Sequence, residues 1–186
     1  MKIIFIRHGK TAGNLEKRYI GKTDEPLCSE GISELGGKKY PDCELVIASP
    51  KKRCLETAKI IYPDLKPVAL RGLEECDFGD FEGKNFAELE GDSYYQKWLR
   101  SGGKLNFPGG EAVGDFKERC TAAFEEAVEK YRECGAISFV VHGGTIMSVL
   151  EKYAVPKKDY YDFQVKNACG YVTFFDGEKI IVSEQI

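Results

Sequence analysis

Arg7, His8 and Gly9 stand directly behind the apolar run Ile3-Ile4-Phe5-Ile6. His142, the only other histidine, stands behind Phe139-Val140-Val141 and ahead of Gly143-Gly144. Both imidazoles therefore follow a short apolar run with β-branched members and precede glycine, which is how a buried strand ends at a turn. In open α/β sheets, ligands sit at the carboxyl ends of the strands. A guanidinium beside an imidazole at such a place suits a phosphoryl group, because the planar fork grips its oxygens and spreads transition-state charge. A neighbouring cation also lowers an imidazole pKa from its usual ~6.5 and favours the neutral, nucleophilic form. A single strand-end histidine is as easily inert; two in the same setting argue for chemistry.

Two further elements bring charge to the same edge. Arg53 falls in the first turn of a helix that follows the strand Leu45–Ala48, so its guanidinium and the positive helix end face one crevice. Beyond a third strand, ending near Leu70, comes the acidic loop Leu73-Glu74-Glu75-Cys76-Asp77. Acidic loop residues usually serve solvation, but near two histidines and two arginines one carboxyl becomes a candidate proton donor. Such a set can work without a metal or cofactor. Neutral histidine attacks phosphorus, the carboxylic acid protonates the leaving oxygen, and the carboxylate then activates the water that cleaves the phosphohistidine.

The elements that must position these groups read as α/β. Strand-like runs lie at 2–7, 44–48, 67–70, 137–141, 170–175 and 179–183, mostly separated by helical patterns. Ser49-Pro50 reads as an N-cap followed by Pro in the first helical position, opening a helix over 50–61 that buries Leu55, Ala58 and Ile61. A long helix over about 111–134 turns Val113, Phe116, Cys120, Phe124, Ala127 and Tyr131 to one face, and another over 143–153 buries Ile146, Val149, Leu150 and Tyr153. Asp176-Gly177 between two apolar runs predicts a hairpin. The expected fold is a three-layer α/β/α domain over 1–186, with a mostly parallel central sheet and an antiparallel C-terminal hairpin. The stretch 84–110 reads as a small excursion, with Tyr94, Tyr95 and Trp98 packing it on the core rather than forming a substrate lip.

Composition sets the bounds. At 186 residues the chain fits one domain with a sizeable core. A net charge of −3 supplies no global field toward nucleic acid or anionic lipid, so neither is an expected partner. Seven cysteines without a Cys-x-x-Cys spacing, and no secretory or membrane-spanning run, read as reduced thiols in a cytoplasmic protein.

Taken together, the chain resembles the histidine phosphatase superfamily, with its phosphoglycerate-mutase-like fold, over nearly its whole length. The resemblance rests on Arg7-His8-Gly9 with Asn14, Gly21 to Leu27 with Gly31, and Ser49-Pro-Lys-Lys-Arg53 with Thr57-Ala58. It continues through Leu73-Glu-Glu75, Phe78-Gly79, Glu82-Gly83, Pro108-Gly-Gly-Glu111 and His142-Gly143-Gly144. It implies that His8 is the phosphorylated nucleophile, that Arg7, Arg53 and His142 form the phosphate pocket, and that Glu75, not Glu74, is the proton donor. Asn14, Gly143 and Glu111 are implied as substrate-binding residues. The expected activity is metal-independent, cofactor-free hydrolysis of a small phosphorylated metabolite. Lys10 and Thr11 occupy positions where the family varies, and Val141 stands where many members carry a small or hydroxyl residue.

Gly9-Lys10-Thr11 and Gly21-Lys22-Thr23 imitate the tail of a P-loop, but the required upstream glycine is Ile4 or Glu16. Two rivals stand beside the hydrolase: a phosphoglycerate mutase, and a non-catalytic phospho-ligand-binding module. The family's mutases carry a longer chain around the site, whereas here only about 30 residues separate Gly83 from the long helix, a length fit for a surface loop with small helices. Retention of His8, Glu75 and His142 together argues against the binding module. Within the phosphatases, the chain looks most like those acting on α-ribazole 5′-phosphate.

Overall fold

The computed structural model describes residues 1–186. Seven strands form one sheet: β1 (Lys2–Arg7), β2 (Leu45–Ala48), β3 (Val68–Ala69), β4 (Ala136–Val141), β5 (Ala154–Val155), β6 (Gly170–Phe175) and β7 (Ile180–Gln185). Their spatial order is β3-β2-β4-β1-β6-β7-β5. Parallel pairing joins β3 to β2, β2 to β4 and β4 to β1. β6 runs antiparallel to both β1 and β7, and β5 pairs parallel with β7. β6 alone therefore runs against the other six strands. The predicted hairpin is present, with Asp176 Oδ1 accepting from the amides of Glu178 and Lys179 across the turn. The two-residue strand β5 carries no sequence signal of its own and gains strand geometry from β7.

Residue alternation along the strands builds the three layers. Ile3 and Phe5 of β1, with Ile137, Phe139 and Val141 of β4, point to one face and meet Phe124, Ala127, Ile146 and Leu150 there. Ile4, Ile6, Val46, Ala48 and Val140 point to the other and meet Cys54 and Ala58. The helices responsible are α1 (Ala12–Leu15), α2 (Ser29–Gly36), α3 (Lys52–Ile61), α4 (Phe86–Leu89), α5 (Ser93–Arg100), α6 (Val113–Lys130) and α7 (Gly143–Tyr153). α6 and α7 supply the first face and α3 the second.

Three expectations need correction. α3 starts at Lys52 with Lys51 as its N-cap and no side-chain capping bond, so Ser49 is not the cap and Pro50 lies outside the helix. Its buried residues are Arg53, Cys54, Thr57 and Ala58, while Leu55 and Ile61 are only partly covered. A charged side chain can occupy that buried stripe because backbone carbonyls receive it, as described below. The long helix is shorter than expected, Val113–Lys130, with Val113 and Tyr131 at its margins.

The excursion holds α4 and α5. Tyr95 and Trp98 are buried with Phe81, Phe107 and Phe116, whereas Tyr94 remains near the surface and donates to the Asn106 carbonyl at 2.8 Å. Packing is thus the main work of Tyr95 and Trp98. The tight ring contacts farther along α6, against the sheet, make a direct test. Phe124 is fully buried and lies 5.8 Å from Phe5 and 5.4 Å from Phe139, centroid to centroid. Phe124→Ala should cost about 3–5 kcal/mol of stability, read as a lower urea midpoint with little change in slope.

Candidate active site

The parallel register of β1 on β4 pairs Arg7 with Val141, so the next residue on each strand is a histidine. That single fact brings His8 and His142 together, with ring centroids 5.2 Å apart and planes at 68°. β2 continues the same edge: Ala48 pairs with Val140, and Ser49 follows. β3 pairs beside it, and the chain beyond passes through a short 3₁₀ turn at Arg71–Leu73 before reaching Glu75.

His8 is buried, and its Nδ1 lies 2.7 Å from the Gly9 carbonyl oxygen. A carbonyl can only accept, so Nδ1 carries the proton in the neutral ring and Nε2 keeps its lone pair. Burial, then the Arg53 and Arg7 charges, hold the His8 pKa well below 6.5. The ring is therefore neutral and its free nitrogen is Nε2. The Gly9 amide donates to Thr57 Oγ1 at 2.9 Å, and that hydroxyl donates to the Arg53 carbonyl at 2.6 Å, tying the turn after His8 to α3.

Arg53 is fully buried. Its Nη1 donates to Thr23 O at 2.7 Å and its Nη2 to Gly21 O at 2.9 Å, with Ile20 O at 3.4 Å. That loop is braced in turn by Glu82, whose Oε1 accepts from the amides of Gly21 and Thr23, each at 2.9 Å. Arg7 Nη1 donates to Val165 O at 2.8 Å. The Nε of each arginine has no protein acceptor. Both guanidinium groups are thus oriented by main-chain oxygen, and neither is paired with a carboxylate.

His142 is fully buried, with Nε2 2.8 Å from Ser49 Oγ; burial, then Arg53 and His8, lower its pKa well below 6.5. Glu75 is partly buried, with Oε1 accepting from its neighbour Cys76 N at 3.1 Å and Oε2 from Gly144 N at 3.2 Å. Burial raises its pKa above the usual 4.5 against the pull of those amides. Gly144 is required by this approach: a Cβ there would overlap Glu75 Oε1 and stand 2.8 Å from Phe116 Cζ. Glu74 instead pairs with Lys51 at 3.2 Å.

These groups border a cavity of about 800 Å³, with Arg7, His8, Asn14, Glu75, Gly143 and Gly144 at its floor. Asn14 Oδ1 accepts from Thr11 N at 3.2 Å and Asn167 Nδ2 at 3.0 Å, so its own amide hydrogens are left to face a ligand. Arg53 and His142, both fully buried, do not line it themselves but lie close enough to His8 for their charges to act on one another. Glu111, expected as a substrate ligand, is directed elsewhere by the fold. Both its oxygens are engaged by Arg119 at 2.8 Å, and Arg119 also donates to the carbonyls of Gly72 and Glu74 at 3.0 Å. Glu111 therefore braces the acidic loop instead of lining the cavity.

Sequence reasoning missed the supporting roles of Ser49, Thr57, Glu82 and Asn167. The first three lie in recognisable sequence pieces, but their partners are distant in the chain. Asn167, donating to the His8 carbonyl at 3.0 Å, has no sequence signal. The P-loop mimic also resolves here: Lys10 pairs with Glu34 at 2.8 Å, and Thr11 caps α1.

A neutral imidazole with a free Nε2, two oriented guanidinium groups and a carboxyl whose pKa burial raises come together at one sheet edge, an arrangement able to carry phosphoryl transfer through histidine. Residues 3–185 match the model of the histidine phosphatase superfamily, branch 1, and the chain belongs to that superfamily. It is an enzyme of the phosphatase kind.

Among its relatives, a 2,3-bisphosphoglycerate-dependent phosphoglycerate mutase 2 of Gloeobacter violaceus is 31% identical, over 80% of this chain and 73% of that protein. An adenosylcobalamin/alpha-ribazole phosphatase of Escherichia coli is 26% identical, over 91% and 87%. The alpha-ribazole phosphatase structure from Shigella flexneri superposes with a TM-score of 0.84 at 22% identity, covering 98% of this chain and 95% of that one. A phosphoglycerate mutase structure from Thermus thermophilus gives 0.77 at 26%, covering 100% and 98%.

Two measurements test the site. Arg53→Lys should lose roughly 10–150-fold in kcat/KM on every phosphomonoester, nearly as much as Arg53→Ala, because a point charge cannot satisfy carbonyls and a phosphate at once. The pH profile should be bell-shaped and acid-shifted. Lowering of the His8 pKa keeps the nucleophile neutral below 6.5, and raising of the Glu75 pKa keeps the acid protonated above 4.5. Glu75→Gln should remove the alkaline limb and cost about 10²–10⁴-fold with alkyl phosphates, whereas Glu74→Gln should leave both nearly intact.

Proposed function

We propose that the protein is a metal-independent phosphomonoester hydrolase acting through a phosphohistidine on a small phosphorylated metabolite. The observation that carries this reading is the His8 Nδ1 contact with Gly9 O, which leaves Nε2 free near the charges of Arg7 and Arg53. Nε2 attacks phosphorus, forming the N–P bond as the P–O bond breaks, and the Glu75 carboxyl gives its proton to the leaving alkoxide. Water then attacks the phosphohistidine, Glu75 carboxylate takes its proton, and the N–P bond breaks to release phosphate and neutral His8. Arg7, Arg53 and His142 meet the charge that develops on the phosphoryl oxygens. No trio of His, Cys, Asp or Glu side chains gathers at metal-binding distance, and guanidinium groups serve in place of a cation.

Charge distribution favours hydrolysis over the mutase reading. A mutase holds a bisphosphorylated intermediate and needs cations at both ends of its cavity. Beyond the floor, the lining cations are Arg18, Lys104 and Lys117. Arg18 is already bound to Glu16 and Glu88, each at 2.6 Å, and Lys117 to Glu151 at 2.6 Å. Glu151, Asp159 and Asp162 line the same outer region, so a second anionic group would meet carboxylates there.

α-Ribazole 5′-phosphate is the substrate suggested by the named phosphatase relatives and by the fold neighbour from Shigella flexneri. Alkaline quenching of a steady-state reaction should trap an acid-labile phosphohistidine that His8→Ala lacks. Activity should persist in EDTA. With phosphoglycerates and 2,3-bisphosphoglycerate present, phosphate release should exceed mutase turnover; the reverse ratio would overturn the hydrolase reading.

A further inference from the structure

The cavity is much larger than its phosphate floor. Its volume of about 800 Å³ falls in the ~300–1,000 Å³ range that encloses a whole small-molecule ligand. Two chain segments far apart in sequence build the outer part. One is the end of the excursion, Trp98 with Gly102, Gly103 and Lys104; the other is a 3₁₀ turn at Tyr160–Phe163 that follows β5.

The two segments touch at Gly103. Its φ of +75° suits glycine, and a Cβ there would overlap the Tyr161 hydroxyl and stand 3.2 Å from Trp98 Cζ2. Tyr161 is 47% exposed and stands perpendicular to Tyr160, with centroids 5.0 Å apart. Tyr160 is fixed from behind, with Lys117 Nζ 4.4 Å from its ring centroid and its hydroxyl donating to Gly144 O at 3.4 Å. An exposed tyrosine ring therefore stands on a rigid partner, across a glycine from a buried tryptophan. Of the nearby cations, Arg18 and Lys117 are already in ion pairs, and Lys104, an exposed residue beside Gly103, is the one that is not. The outer compartment offers aromatic surface and little free positive charge.

We infer that Tyr161, Gly103 and Trp98 form a specificity clasp for a planar, uncharged ring carried by the alcohol half of the substrate, so that the preferred esters are those of a ring-bearing sugar. This rests on the hydrolase reading and assigns the residues that select the ester. Ring faces favour offset or edge-on contact with other rings, and stacking of a base on an aromatic side chain is tolerant of the base's identity. The phosphate end supplies the chemistry for any ester; the clasp ranks them.

The experiment compares kcat/KM for ribose 5-phosphate with that for nucleoside 5′-monophosphates of both anomeric configurations. All release a primary alkoxide, so leaving-group chemistry is matched and the difference reports the ring. At least one ring-bearing ester should exceed ribose 5-phosphate by roughly ten- to a hundredfold. Tyr161→Ala should collapse that ratio toward unity while leaving ribose 5-phosphate turnover unchanged, and Tyr161→Phe should preserve it. Gly103→Ala should lower the ratio by displacing Tyr161. Unchanged melting of the Tyr161 variants separates these effects from misfolding. Equal kcat/KM for ringed and ringless esters, or a ratio insensitive to Tyr161→Ala, would overturn the clasp while leaving the hydrolase intact. Absence of turnover on every ester would instead overturn the hydrolase, and the clasp with it.

Discussion

The pairing of Arg7 with Val141 across β1 and β4 is the constraint on which the rest of the site depends. Because side chains alternate along a strand, a slip of one residue would send one histidine to the opposite face. Parallel strands covered on both sides cannot fix register by polarity alone, so shape must do it. Ile3, Phe5, Ile137 and Phe139 fill one face and Ile4, Ile6 and Val140 the other, all but fully buried. β6 adds a lock from the far side, with Thr173 Oγ1 donating to the Ile3 carbonyl at 3.0 Å. The core therefore serves chemistry directly, by deciding which residues emerge together at the sheet edge.

The second constraint is electrostatic. Two guanidinium groups and two imidazoles close together cannot all be charged in a buried site. The fold lets the arginines keep their charge, giving Arg53 the carbonyls of residues 20, 21 and 23, and Arg7 that of Val165. The imidazoles yield and stay neutral. This division is what a phosphoryl-transfer site needs, since only a neutral histidine can attack and only permanent cations can hold a dianion through the change in charge. Cys54 follows the same rule: its thiol lies 3.6 Å from His142 Nε2, and burial pushes its pKa to about 12, so it adds no charge.

Much of this was legible in the sequence, for identifiable reasons. His8 and His142 lie just after strands whose apolar runs are unmistakable and Arg7 ends the first of them, so their shared edge follows from strand ends alone. Glu75, beyond a two-residue strand and a 3₁₀ turn, was legible only through its acidic loop and the family resemblance. Arg53 was legible as a site residue, but the buried face of α3 was not. Apolar spacing pointed to Leu55 and Ile61, whereas carbonyls of a distant loop let Arg53 turn inward, and the Gly9 amide and the Arg53 carbonyl do the same for Thr57. Glu111 shows the opposite failure. Its place beside a recognisable motif suggested a ligand, yet Arg119, eight residues on, claims both its oxygens. Asn167 and the two-residue strand β5 were invisible because each is defined by a remote partner, and single-sequence patterns carry only local information.

The remaining asymmetry lies within the cavity. At the floor Arg7, His8, Asn14 and Glu75 are each anchored to at least one backbone atom, which ties their geometry to the sheet and its turns. Farther out, the walls come from the excursion and from the turn after β5, two surface segments that meet at one glycine. Loops carried on a rigid scaffold can vary without disturbing what lies beneath them. Relatives named as mutases and as phosphatases share this fold. In this chain the outer arginine and one outer lysine are already paired with carboxylates, and exposed aromatic surface remains. The balance of forces there favours a flat neutral group over a second anion.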